Sequence, residues 1–342
     1  MKVISTVGPS IKSNKQLKNL IELGCDGFRF NTSHMDKKET DSQMRFIKSL
    51  NRDNVKIIQD LQGHKIRVSS LVKNNIELID SSEKIICTEE YYKNFQGDKN
   101  KLIPIDIEFS FNLLRDIGEL SVKNGSVKFK VIDNSNEDWL ICKILGNGSI
   151  RPKNGITAKG LNRFEMGISN RDKETVLFGL DRHVDIIYLS YVVNHKDVRE
   201  MKGYIKSIVE ANKGYKMPLI YSKIESMEGI ENFKNILKES DGIVLGRGDL
   251  YTEIDMLEYP LIQNKIIQQM KKSKKELVLA TNILGTLAFR KVPTISEVCD
   301  LYNLIKNKVN TIVLVSETSV GKYPRNALKF TKEFIEKTLK EA

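Results

Sequence analysis

Short apolar runs rich in β-branched residues alternate along this chain with amphipathic helical patterns, and no other feature restricts the fold as strongly. The runs are VIST at 3–6, GFRFNT at 27–32, KIIQDL at 56–61, IIYLSY at 186–191, PLIYSKIE at 218–225, GIVLG at 242–246, LVLATNIL at 277–284 and TIVLVSE at 311–317. Helical patterns at 13–23, 36–50, 195–213, 228–239, 258–273 and 323–340 separate most of them. Eight such units predict a closed (β/α)8 TIM barrel rather than an open sheet. A barrel of this kind takes about 250 residues, so a chain of 342 has room for a second, smaller domain.

The surplus falls between the third and fourth runs, where 68–159 is too long for one helix. Asn124-Gly125, Asn147-Gly148 and Asn154-Gly155 are hairpin turn signals. VKFKVID and WLICKIL lie between them with the period-two alternation of half-buried strands. The expectation is a barrel made of 1–67 and 160–342, with a small all-β lid domain, 68–159, inserted after the third strand.

The net charge is +11, from 55 Lys and Arg against 44 Asp and Glu, which favours anionic partners. The lysines are spread widely, and the densest run, Lys271, Lys272, Lys274 and Lys275, ends a helical pattern where cations suit the dipole. It reads as a solvated helix end, so no nucleic-acid partner is expected. The four cysteines form no C-x-x-C pair. No secretory pattern opens the chain and no apolar stretch approaches a membrane span, so a cytoplasmic protein without a membrane partner is expected.

Active sites of parallel barrels lie at the C-terminal ends of the strands. The polar residues there are Arg29, Asn31 and Ser33, then Asp60 with Arg67, Lys223 and Glu225, Arg247 and Asp249, Thr281 and Glu317. Glu225 and Asp249 on successive strand ends suit a divalent metal, which takes carboxylate and substrate oxygens. Lys223, on an otherwise apolar strand, is costly to bury without a partner. Such a ring of cations, carboxylates and hydroxyls is what metal-assisted phosphoryl transfer needs. The blander reading is a set of structural ion pairs. DGIVLGRGDL fits no dinucleotide fingerprint, and its glycines let the backbone approach an anion.

Seven segments in order resemble the pyruvate kinase family: STVGPSIKS, FRFNTSH, DLQGHKIRV, YSKIESMEGI, SDGIVLGRGDL, LATNIL with VPTISEVCD, and VSETSVGKYP. The resemblance implies a phosphotransferase moving a phosphoryl group between phosphoenolpyruvate, or a related enol acid, and ADP or ATP. It implies that Glu225 and Asp249 hold magnesium or manganese. Lys223 would neutralise the phosphoryl group and developing enolate, with Thr281 near the enol carbon and Gly248 and Asp249 donating N–H groups to the substrate carboxylate. Arg29, Arg67, Asn31, His34 and Pro9 would face the nucleotide and the transferred phosphate. Asn31, Ser33 and Asp60 would line a monovalent-cation side. There Lys65, with Leu61 and Gln62, looks like the potassium-independent branch, in which an ammonium replaces the ion. A homo-oligomer is among the partners the resemblance implies.

Departures accompany the likeness. An acidic pair before the lid glycine reads Lys123 and Asn124, a hinge proline is His64, and a glycine after R-G-D-L is Tyr251. The S-G-E-T glycine is Ser316, and an inter-subunit arginine is Ile295. The chain stops at Ala342, where the family continues into a regulatory domain. Two alternatives therefore stand beside the first reading: a biosynthetic paralogue acting on another keto or enol acid, and a non-catalytic relative that binds a phospho-acid or a protein.

Overall fold

The structure is a computed structural model. It describes residues 1–34, 36–122, 125–164 and 166–341, the side chain of His34 excepted. The chain divides into two compact units. Met1–Gln62, Arg171–Gly248 and Leu257–Ala342 form one, and Gly63–Asn170 with Asp249–Met256 form the other. The cuts fall at 62/63 and 170/171 instead of the expected 67/68 and 159/160. Residues 249–256 cluster with the insert, so Arg67 and Asp249 belong to the second unit.

In the first unit eight parallel strands close into a barrel: β1 (Lys2–Thr6), β2 (Gly27–Asn31), β3 (Lys56–Asp60), β4 (Ile186–Leu189), β5 (Leu219–Ile224), β6 (Gly242–Gly246), β7 (Glu276–Ala280) and β8 (Thr311–Leu314). Neighbours in sequence are neighbours in the barrel, and β8 closes on β1. The eight expected runs are these strands, several cut short. Thr281 and Asn282, at φ 73 and 54, turn left-handed and end β7, and Tyr191, at φ 52, follows β4 in the same way. A helical turn, Ser316–Ser319, replaces the end of the eighth run.

Local chemistry sets the helix starts. Ser13 with Gln16, Asn194 with Asp197 and Thr294 with Glu297 form capping boxes, which satisfy the first orphan N–H groups. Two longer helices go beyond the expected set, besides the short ones Glu89–Asn94, Arg247–Glu253 and Ser316–Ser319. Asn170–Leu180 buries Asp172 and Gly179 on its inner face, which interrupts the apolar stripe. Ile295–Lys306 exposes Ile295 and Tyr302, which blurs its stripe from outside. The single helix expected at 228–239 is two, Met227–Glu231 and Phe233–Glu239, divided at Asn232.

The second unit is a seven-stranded closed barrel. In spatial order its strands are Trp139–Leu145, Glu83–Thr88, Leu102–Asp106, Ile66–Val68, Gly155–Ala158, Glu119–Val122 and Val127–Asp133. A short pair, Ile76–Leu78 with Gly148–Ile150, and the helix Glu89–Asn94 accompany it, and most of the helix Arg247–Glu253 falls in this unit. Ile86, Phe129, Leu140 and Ile144 are wholly buried in its core. Of the three Asn-Gly signals, 124–125 falls between paired strands, Val122 facing Val127, although Asn124 and Lys123 lie outside the described residues. The other two are not hairpin turns. Gly148 and Gly155 begin strands that pair away from the strand before them, so those signals mark passages between sheets. Among the described residues no helix is long and apolar enough to cross a membrane.

Candidate active site

Period-two geometry places the charges. Successive residues of a strand point to opposite faces, so i and i+2 share one. Ile4, Ile58, Tyr188 and Tyr221 pack together in the barrel interior. Two residues further along each chain, towards the C-terminal end, come Thr6, Asp60, Ser190 and Lys223, all buried. Arg29 on β2 sits level with Thr6 and Ile58. An apolar floor thus carries a polar layer, and Glu225 continues the β5 face.

The polar layer is fully connected. Lys223 Nζ donates to Ser190 Oγ at 2.8 Å and to Asp60 Oδ1 at 3.1 Å, and lies 3.0 Å from Glu225 Oε1. Arg29 Nε donates to Asp60 Oδ2 at 2.5 Å, and its Nη1 to Thr6 Oγ1 at 3.1 Å. Tyr191 N–H donates to Glu225 Oε2 at 3.1 Å. Burial alone would raise the Asp60 carboxyl; the Arg29 and Lys223 charges outweigh it and hold the group below the usual carboxylate range. A lysine and an arginine are therefore fixed, charged and desolvated, around one shared carboxylate. Glu317, by contrast, is pushed up by burial, although the N–H groups of Leu284 and Val315 bind it.

A cavity of about 580 Å³ opens beside this layer. Arg29, Asn31, Pro9, Lys12 and Thr6 line it, with the acids Asp36 and Glu39. Gly8 also lines it, in close contact with Ser319: a Cβ at Gly8 would stand 2.7 Å from the Ser319 carbonyl. Asn31 Oδ1 accepts from Ser33 N–H at 3.1 Å. His34 closes the short turn Thr32–His34, and its side chain lies outside the described residues. Thr281 packs on Gly248, where an added Cβ would stand 3.0 Å from the threonine Cγ2.

The remaining expected residues belong to the second unit. There Lys65 Nζ is ion-paired with Asp249, and the Lys65 stem packs on Gly155. Arg67 Nη1 donates to the Lys153 carbonyl at 2.8 Å. The structure thus gathers Arg29, Asp60, Lys223 and Glu225 into one network and brings Lys65 onto Asp249. Arg247, read from sequence as part of the ring, binds Asp300, Gln263 and the Asn282 carbonyl, a structural role. Ser190, Thr6 and the Tyr191 N–H were missed. Ser190 stands in the fourth quoted run, and its place two residues after buried Tyr188 was the available signal.

The fold and this network define a parallel (β/α)8 barrel protein with an ammonium and a guanidinium locked at its C-terminal strand ends. A family model described as pyruvate kinase, barrel domain, matches residues 1–328. The chain is 32% identical over 346 residues to the pyruvate kinase of Thermotoga maritima, covering 100% of this chain and 70% of that protein. It is 31% identical to the pyruvate kinase of Staphylococcus saprophyticus, covering 96% and 55% of the two chains. To pyruvate kinase 2 of a Synechocystis species it is 30% identical, covering 99% and 57%. The chain belongs to the pyruvate kinase family, and it spans just over half the length of the last two relatives.

Proposed function

We propose that this chain is a pyruvate kinase-type phosphotransferase, passing a phosphoryl group between phosphoenolpyruvate, or a related enol acid, and ADP or ATP. The observation that carries the reading is the buried Lys223 ammonium, held at once by Asp60, Ser190 and Glu225. Phosphoryl transfer asks the protein mainly for positioning and fixed positive charge. A cation already locked in a dry site reorganises little as charge develops, so it lowers the barrier more than a mobile one.

In the direction that consumes the enol phosphate, the bond between enol oxygen and phosphorus breaks. A terminal oxygen of ADP forms the new bond to phosphorus. Lys223 and Arg29 would hold the migrating group and the enolate left behind, with Arg67 on the phosphate. Thr281 would orient the water whose proton goes to the enol carbon. The N–H groups of Gly248 and Asp249 would bind the substrate carboxylate. Pro9, Asn31 and His34 would serve the nucleotide, with Asn31, Ser33 and Asp60 on the monovalent-cation side.

Magnesium or manganese fits the residues present. Glu225 offers the hard oxygen donors such ions prefer. The wall behind its carboxylate is Gly246, where a Cβ would fall 2.7 Å from Oε1, so only glycine leaves that space. Glu225 and Asp249 would hold the ion, which when bound supplies positive charge to phosphate oxygens. On this reading the chain works in the cytoplasm on soluble small molecules.

A coupled assay with phosphoenolpyruvate, ADP and magnesium tests the proposal. Turnover supports it. Turnover only with another enol phosphate or keto acid selects the biosynthetic paralogue, which Tyr251 favours. No turnover with any of them, in either direction, leaves the non-catalytic binding protein.

A further inference from the structure

The lysine run at 271–275 has a second half that the sequence does not reveal. In the barrel unit, at the N-terminal ends of β7 and β8, lies a cavity of about 420 Å³. Five lysines line it: Lys271, Lys274 and Lys275 at and after the end of one helix, Lys306 and Lys308 at the end of another. No carboxylate lines it. Its floor is apolar, with Ile267, Met270 and Leu277 buried.

The lysines are not neutralised locally. Among the described residues none of the five forms an ion pair. Lys271 Nζ donates to Asn307 Oδ1 at 2.9 Å, and Lys275 Nζ to the carbonyls of Leu237 and Lys238 at 2.6 and 2.8 Å. Lys306 lies 5.6 Å from the Tyr302 ring centre. The acids nearest Lys275, Glu239 and Asp241, are already bound by Arg199 and Lys202. Lys308 sits at φ 59, a left-handed position where glycine is the unstrained residue.

The competing explanation is that lysines merely cap helix C-termini: those of Tyr259–Lys271 and Ile295–Lys306, and that of Phe233–Glu239, whose last carbonyls Lys275 binds. Those three ends together carry about one and a half units of negative charge, against five ammoniums, so most of the positive charge has no such use. We propose that this cavity is a second anion site and takes a small oligophosphate whose charges span the lysines. Ammonium groups bind phosphate as point charges and need no fixed fork geometry, which suits a ligand with several equivalent oxygens. The volume is within the range of about 300–1,000 Å³ usual for small-ligand sites. A nucleic-acid strand would instead need a longer basic track with interleaved aromatic platforms, and among the described residues Tyr302, beside Lys306, is the one ring set against these lysines.

The test is calorimetric titration of the full chain with tripolyphosphate, without divalent ions, at low and physiological salt. Three proteins carrying lysine changes are compared with the wild type. One carries Lys274→Ala, Lys306→Ala and Lys308→Ala, all exposed positions. A second carries Lys128→Ala, Lys130→Ala and Lys143→Ala on exposed strand faces of the other unit, the same change in net charge. The third is Lys223→Met. Saturable binding that weakens at least tenfold in the first alone supports the site. Equal weakening in the first two means diffuse attraction and overturns it, as does loss confined to Lys223→Met, which assigns the binding to the barrel mouth. No saturable binding overturns it too. Affinity for single-stranded DNA that rises with its length, above that for tripolyphosphate, overturns the small-ligand assignment. None of these outcomes depends on turnover, so the proposed activity and this site fail separately.

Discussion

Strand β6, Gly242–Gly246, is buried at every residue, whereas Val127–Asp133 in the insert buries Val127 and Phe129 and exposes Lys128 and Lys130. A parallel barrel strand is covered by helices on one side and by barrel interior on the other, so neither face offers water. A half-solvated antiparallel strand can turn every second residue outward. The difference decides what a charge costs. In the insert a lysine on the outer face is cheap. In the barrel an inward charge must find partners, and Arg29, Asp60, Lys223 and Glu225 find one another. Buried charge by itself is not diagnostic, since Arg247, bound to Asp300, and Arg163, bound to Glu253, are buried too; what sets the barrel network apart is that four charged side chains share it.

The sharpest way to break that contrast is to remove one charge from each unit. Lys223→Met keeps the side-chain volume and deletes the ammonium. Asp60 retains Arg29 and Glu225 retains the Tyr191 N–H. Turnover should fall about a thousandfold, the scale of losing a preorganised electrostatic group, and stability by about 3–5 kcal/mol because a buried pair loses one member. Circular dichroism should show the fold intact. Lys130→Met on the insert should leave turnover unchanged and stability within about 0.5 kcal/mol. Comparable activity in the two variants would remove Lys223 from the mechanism.

The apolar version is smaller. Ile243 on β6 is wholly buried, and Ile132 in the insert is 49% exposed. Threonine at 243 loses methyl burial and hides a hydroxyl, for about 2–4 kcal/mol. The same substitution at 132 should stay within about 0.5 kcal/mol. Urea midpoints compared with wild type measure both, and similar losses would show that the two strands are not buried as differently as their patterns indicate.

Acid gives a third contrast. The Asp60 carboxyl is held low in the folded protein and titrates near 3.9, as an ordinary aspartate does, once unfolded. Its charged form therefore adds stability above about pH 4, and that contribution is lost as pH falls through the lower folded value. The advantage of wild type over Asp60→Asn should be constant from pH 8 to 5 and shrink below about pH 4. An advantage that grew on acidification would mean that Asp60 is not the anchor of the two cations.

What the sequence made legible follows the same division. All eight barrel strands announce themselves, because double burial demands runs such as TIVL and GIVLG that no loop would carry. The ends were less visible. The run LVLATNIL continues past the strand because Thr281 is β-branched, a type that gives no sign of the left-handed turn it opens with Asn282. The insert showed Val127–Asp133 and Trp139–Leu145 by alternation, but Asn-Gly pairs could not say which strand comes next to which. At the site, the strand-end lysine and acids were readable as expensive charges. Ser190, a common residue with no charge, was not. Nor was the Asp300 partner of Arg247, 53 residues away.

The smallest expected effect tests the least conspicuous charge. Lys65, in the second unit, is about one-fifth exposed and ion-paired with Asp249, whose side chain is 28% exposed. Partial solvation screens such a pair, so it adds little to stability. Its value would be positional: a covalently attached cation stays at full occupancy at any ionic strength, where a diffusible one must be bound from solution. A chain that carries its own cation gains nothing from potassium. Replacing potassium with tetramethylammonium at constant ionic strength should change the initial rate by less than about twofold, or ~0.4 kcal/mol in barrier. Lys65→Ala should weaken turnover and, if the ammonium replaces the ion, regain part of it when potassium is added. A wild-type rate that depends steeply on potassium would instead make Lys65 a structural partner of Asp249 and nothing more.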